Sequence, residues 1–324
     1  GLAVAGAGVW ALVANVAVRA LSTTVFGLAF SGFRPTRFAR PRDSGTLLRF
    51  GSRSAASTTL SYVGRNADNL VVARYLGAHD LGVYQVAFGV AMLPATYVGI
   101  TVSAVAVPVY ARIAATPDRM RGAFLEGLRY LILATGILAI ALWWFAPLII
   151  RGLYGTQWTA AVRILEILCL ASFWYPLAAL SSSLLFACGR PTFDVVLQGI
   201  RAVGVTVLSY AGYRLGSLTG IAWGVTIYSS LNALMYIAVA SAVAKIRAVR
   251  VVTTFASGAW IPAIAAAALG AERIALDPDG WWTGLSALVA IAAIAGMVLL
   301  TQRTLVERVR AAIVRRSIPD LVAP

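Results

Sequence analysis

Charge and reactive side chains are what this sequence has least of. Of its 324 residues 12% are charged, 12 are acidic, two are cysteine and one is histidine, against roughly 25% charged residues in a soluble domain. Cys169 and Cys188 fall on one predicted helix, nineteen residues apart. At 1.5 Å per residue that is roughly 28 Å, far beyond the reach of a disulfide. Neither Cys stands with His79 at zinc-site spacing, so no metal is expected. His79 itself reads as a solvated turn residue. No phosphate-binding glycine loop, paired carboxylates or Ser/His or Cys/His constellation occurs, and no loop is long enough to carry an enzyme site. A catalytic role and a cofactor are therefore not expected. Lysine is nearly missing too: Lys245 is the only one.

What the chain has instead is apolar length. It is 60% hydrophobic with a mean hydropathy of +0.82, which predicts an all-α polytopic transmembrane helix bundle. About nine spans can be placed, at 2–30, 54–74, 81–110, 124–150, 160–187, 192–213, 220–244, 253–269 and 281–301. The formal charge of +15 is no sign of nucleic acid, because the arginines sit in short runs between spans and obey membrane topology. With strict alternation the inner segments hold eighteen basic residues and the outer segments five. That places the C-terminus in the cytoplasm and the N-terminus outside. The 34–53 segment is then a basic cytoplasmic linker and 303–324 a cytoplasmic tail. Because residue 1 is glycine and no leader precedes the first span, the chain reads as a fragment. Pro94 and Pro108 within the third span predict kinks. Arg163 and Glu166, three apart, predict a local ion pair.

Two spans carry polar stripes. In 54–84, Ser54, Ser57, Ser61, Arg65 and Asp68 recur at spacings of three and four, flanked by Thr58 and Asn69, so they share one helix face. Asp194, Gln198 and Arg201 form a second stripe entering from the inner side. Ionised groups in hydrocarbon cost about 2.5–3.5 kcal/mol each on insertion scales, so such stripes face a bundle interior or a wet cavity. Arg65 and Asp68 can pair with each other. Four arginines, Arg19, Arg65, Arg129 and Arg201, lie inside spans against few acids. Arg129 is close enough to the inner end to snorkel. The rest suggest a cavity of positive potential suited to a phosphate-bearing cargo, with hydrogen bonding to neighbouring carbonyls as the bland alternative.

Several stretches together resemble one family. They are Asn66-Ala67-Asp68-Asn69-Leu70-Val71-Val72-Ala73-Arg74-Tyr75-Leu76-Gly77 followed by Leu81-Gly82-Val83-Tyr84, the opening Gly8-Val9-Trp10-Ala11-Leu12-Val13, Tyr154-Gly155 with Trp158 and Ala161, Gly189-Arg190-Pro191, and Gly220-Ile221-Ala222-Trp223-Gly224. In order and spacing they are similar to bacterial polysaccharide transporters, the lipid-linked oligosaccharide flippases of the multidrug and polysaccharide exporter superfamily. The resemblance implies two pseudo-symmetric six-helix lobes. Residues 1–33 would be the last helix of the N-lobe, 54–250 the six-helix C-lobe and 251–302 two accessory helices. It implies an undecaprenyl-diphosphate-linked oligosaccharide as cargo, moved across the bacterial inner membrane. Membrane lipid, a preceding N-terminal lobe and other polysaccharide assembly proteins are the implied partners. In that picture Arg65 and Arg201, with Arg19 from the other lobe, meet the diphosphate, while Asp68, Asn69 and Gln198 bond sugar hydroxyls or tune charge. The other readings are a peptidoglycan-precursor or small-amphiphile exporter on the same fold, a membrane glycosyltransferase or ligase, and a non-transporting scaffold for envelope assembly.

Overall fold

The computed structural model describes residues 9–30, 62, 64, 66–113 and 116–275. The linker 34–53, the last span and the tail lie outside the described residues. Everything described is helix or short connection, as the apolar periodicity requires. Helix α1 (Val9–Phe30) belongs to the first of two compact units, residues 1–56. The second unit holds α2 (Ala67–Tyr75), α3 (Ala78–Ile113), α4 (Pro117–Trp144), α5 (Ala146–Leu153), a 3-10 turn (Thr156–Trp158), α6 (Ala160–Ala187), α7 (Pro191–Val243) and α8 (Ala248–Ala275). Five of these are long and apolar enough to cross a membrane.

One of the five is two apolar arms. Within α7 Gly216 (φ −158°, ψ 24°) and Ser217 (φ 55°, ψ −133°) are non-helical, so it is two helices joined at a kink. Its arms, 191–215 and 218–243, form the hairpin that the two adjacent spans of the sequence predict. Turns elsewhere follow local chemistry. Gly77 and Gly189 adopt φ of 91° and 67°, the left-handed region that glycine enters without a Cβ penalty. After Gly189 the Arg190 amide donates to the Leu185 carbonyl at 3.0 Å, and Pro191 then starts α7, where a missing N–H costs nothing.

The structure differs from the sequence reading at the fourth span. That span was expected to run to residue 150, but α4 ends at Trp144 and α5 begins anew at Ala146. Pro147 is the reason: it has no amide for the Trp143 carbonyl, and its ring blocks the preceding turn. At the other end α4 starts at Pro117, so Arg119 and Arg121 sit on its first turns rather than in a loop. Arg121 donates from Nε to the Ala244 carbonyl at 2.8 Å, holding the end of α7 to the start of α4.

Helix α6 is the most buried span; it packs on α3, α4, α5 and α7, while α8 packs on α4. The α4–α8 seam is tight, with Gly136 against Pro262 and Gly258 against the Arg129 carbonyl. The apolar core falls in two main clusters at different heights. One gathers Val71, Tyr84, Leu165, Leu168 and Ile221. The other gathers Tyr110, Phe124, Leu128, Leu184 and Tyr236. Cys169 and Cys188 are free, as their separation requires.

Candidate functional site

Between the two cores lies a cavity of about 180 Å³. Its wall takes Gly64 and Asp68 from the polar-striped segment, Phe88, Met92 and Thr96 from α3, Trp174 and Tyr175 from α6, Arg201 and Val205 from the first arm of α7, and Tyr228, Ser229 and Asn232 from the second. Glycine sets two of these contacts. A Cβ on Gly64 would press on that of Ala202 at 2.9 Å, so the striped segment approaches α7 closely enough for Asp68 to share a cavity with Arg201. At Gly204 a side chain would overlap the ring of Tyr228, and its absence seats that ring in the wall.

Asp68 is 2% exposed. The hydroxyl of Tyr84 donates to its Oδ2 at 2.7 Å, the one side-chain hydrogen bond that Asp68 makes among the described residues. Arg201 is half-buried, with its guanidinium carbon 6.0 Å from the centre of the Tyr175 ring, a cation–π contact. Its charge acts on Asp68 and on Tyr228. Among the described residues it makes no salt bridge. Tyr228 donates to Asn232 Oδ1 at 3.4 Å. Among the described residues the cavity thus offers a guanidinium, a carboxyl group and several hydroxyl and amide groups, framed by aromatic rings. Tyr84→Phe removes a side-chain donor to a buried carboxyl group and should cost about 2 kcal/mol, read as a lower unfolding midpoint in detergent.

The structure brings two of the six site residues of the sequence reading to this cavity, Asp68 and Arg201. Asn69 is on the same helix as Asp68 but donates to Asn66 Oδ1 at 3.3 Å and is not in the wall. Gln198 is exposed and donates to Asp194 Oδ2 at 3.0 Å. Asp194 is the hub of its own network: Ser182 donates to its Oδ1 at 2.6 Å and the Tyr236 hydroxyl at 3.0 Å. The second stripe is therefore split, with Asp194 and Gln198 joining α6 to both arms of α7 and Arg201 left to the cavity. Arg65 and the side chain of Arg19 lie outside the described residues; the partner seen for Asp68 is Tyr84. Arg129 is half-buried and outside the cavity wall. Arg163 and Glu166 are paired at 3.4 Å. Tyr228 and Asn232 were not singled out from sequence, and Tyr84 entered only within a stretch that carries the family resemblance, although hairpin geometry could have brought all three to the site. Arg201 and Asn232 are equidistant from the 216–217 turn, as are Val205 and Tyr228. Asp68 and Tyr84 flank Gly77 at nine and seven residues.

Known proteins are similar to this chain, some in sequence and one in architecture. The teichuronic acid biosynthesis protein TuaB of Bacillus subtilis is 28% identical over 57% of this chain and 38% of its own length. The succinoglycan biosynthesis transport protein ExoT of Rhizobium meliloti is 27% identical over 95% of this chain and 63% of its own. The lipopolysaccharide biosynthesis protein WzxC of Escherichia coli is 23% identical over 68% and 44%. The chain spans less than two thirds of the length of each. Among solved structures, the lipid II flippase MurJ in an inward closed conformation matches with a TM-score of 0.67 at 15% identity, over 83% of this chain and 57% of that one, which shows the fold. This is a multi-pass membrane protein with an all-helical flippase fold. The family model described as polysaccharide biosynthesis protein covers residues 1–163, half of the chain including the Asp68 stripe and Tyr84, and the chain belongs to that family.

Proposed function

We propose that this chain forms the C-terminal part of a transporter that moves a polyprenyl-diphosphate-linked oligosaccharide across the bacterial inner membrane for cell-surface polysaccharide assembly, without making or breaking covalent bonds. The observation that carries the reading is Arg201: a guanidinium in a mid-bundle polar cavity, with no salt bridge among the described residues. A planar, permanently charged fork suits phosphate oxygens. An excess of carboxylates would suit a cationic amphiphile instead. Drug-sized ligands occupy roughly 300–1,000 Å³, so the smaller space here suits a diphosphate and not a whole glycan. Residues 54–250 act as one lobe, rocking against an N-terminal lobe that includes 1–33, and 251–302 are accessory. Arg19 and Arg65 join Arg201 at the diphosphate. Asp68, Asn69 and Gln198 tune that charge or meet sugar hydroxyls, and the C-terminus is cytoplasmic.

The test is translocation in proteoliposomes holding the full-length protein. A fluorescent undecaprenyl-diphosphate-linked sugar is compared with the same sugar on a neutral lipid. The diphosphate-linked cargo should cross at least tenfold faster. Equal rates for both lipids would overturn the reading, as would transfer of the sugar to an acceptor.

A further inference from the structure

Three tyrosines meet at the far end of the seam between α2 and the first arm of α7. The ring of Tyr75 stacks on Tyr213 with centroids 4.9 Å apart and tilts against Tyr210 at 5.5 Å, and Tyr210 and Tyr213 are 6.3 Å apart. They are not core residues. Tyr75 is 47% exposed and Tyr210 40% exposed, while Tyr213 packs partly against the apolar core and anchors the group. Isolated tyrosines are common at membrane interfaces. Three rings gathered from two helices into one exposed surface are a different object, because each gives up lipid or headgroup contact to touch the others.

We propose that this cluster is a carbohydrate platform: a pyranose ring lays its C–H face on Tyr75 and Tyr210 while the phenolic hydroxyls bond the sugar's hydroxyls. The inference rests on the transport reading and deepens it by locating the glycan. Sugars present one face of axial C–H bonds and a rim of hydroxyls, and tyrosine presents an apolar ring with a polar tip. Charge selects against the other ligand that aromatic groups recognise, a quaternary ammonium. The Arg74 guanidinium already lies 5.9 Å from the centre of the Tyr75 ring, so a second cation would be repelled. Position also fits. Asp68 and Tyr75 are seven residues apart on α2, hence on one helix face and about 11 Å apart along the axis. A cargo held by its diphosphate at Arg201 has its sugars running along this seam.

The experiment is saturation-transfer NMR on the full-length protein in a sugar-free detergent, with the methyl pyranosides of glucose, galactose and mannose as probes. Saturation of the aromatic protons should pass to the ring C–H protons of at least one probe. Tyr75→Leu with Tyr210→Leu, which keep apolar volume without a ring, should reduce the transfer at least fivefold. Tyr75→Phe with Tyr210→Phe should retain most of it, and matching unfolding midpoints show that the variants are folded. No transfer in the unaltered protein, or undiminished transfer in the leucine variant, overturns the platform and leaves the tyrosines as membrane anchors. The two readings therefore fail separately. Tyrosine-dependent transfer with indifferent transport of neutral and diphosphate lipids would sink the cavity reading alone. Diphosphate-dependent transport without tyrosine-dependent transfer would sink the platform alone.

Discussion

Arg201→Ala is expected to lower translocation of a diphosphate-linked cargo at least tenfold, and Arg201→Lys to recover only part of it. Hydrogen bonds to a charged group are worth about 1.5–3 kcal/mol, and 1.4 kcal/mol is a factor of ten in binding. Losing one guanidinium–phosphate contact in a half-buried site therefore reaches that size. Lysine restores the charge but not the planar fork. The substitution has a second effect that must be separated from the first. Asp68 is buried, and Arg201 is one of the groups whose charge acts on it. Without that cation the buried carboxyl group loses a favourable charge nearby, and stability should fall. Adding Asp68→Asn to Arg201→Ala removes the uncompensated acid, so the double variant should regain stability while translocation stays low. Recovery of transport together with stability would mean that Arg201 serves the fold and not the cargo. The measurements are a proteoliposome rate and an unfolding midpoint for each of the four chains.

Much of this site could be read from the residues before any coordinates. The stripe ending at Asp68 and the isolated charge of Arg201 were visible because ionised groups are rare in apolar spans and helical spacing says which of them share a face. That the two face one cavity could not be read that way. It depends on Gly64 meeting Ala202, a contact between segments far apart in sequence. Asp194 shows the opposite limit. By spacing alone it belonged with Gln198 and Arg201, yet Ser182 and Tyr236, from two other stretches, both donate to its Oδ1 while Gln198 takes Oδ2, and that end of the stripe becomes a fastening. Periodicity reports the face of a helix and says nothing of what waits opposite. The break at Phe145 was missed for a different reason: Pro147 was signal enough, but the apolar run continues across it and hydropathy alone reads one span.

Gly212→Ala and Gly199→Ala, a single methyl group each and both in the first arm of α7, are expected to move stability in opposite directions. A Cβ at Gly199 meets nothing within 4 Å, so alanine there should stabilise by about 0.5–1 kcal/mol, the ordinary gain over glycine inside a helix. At Gly212 the Cβ would fall on the carbonyl of Gly220, and a Cβ on Gly220 would fall on the carbonyl of Gly212. The same backbone contact recurs at Gly224 against Leu208. The two arms therefore approach as small-residue membrane helices do, backbone to backbone. A clash with a side chain can be relieved by a rotamer change; a clash with a carbonyl cannot. Overpacking a close-packed core costs about 1–3 kcal/mol, and with no rotamer to yield, Gly212→Ala should sit at the upper end. The effect should reach the site, because the arms carry neighbouring parts of the cavity wall. Spreading them draws Tyr228 and Asn232 away from Arg201. A Gly212→Ala chain with an unchanged unfolding midpoint would mean that the hairpin opens freely at this point, and the cavity wall would then owe its geometry to other contacts. A lowered midpoint with slowed translocation would tie the packing of the hairpin to the spacing of the charges it carries.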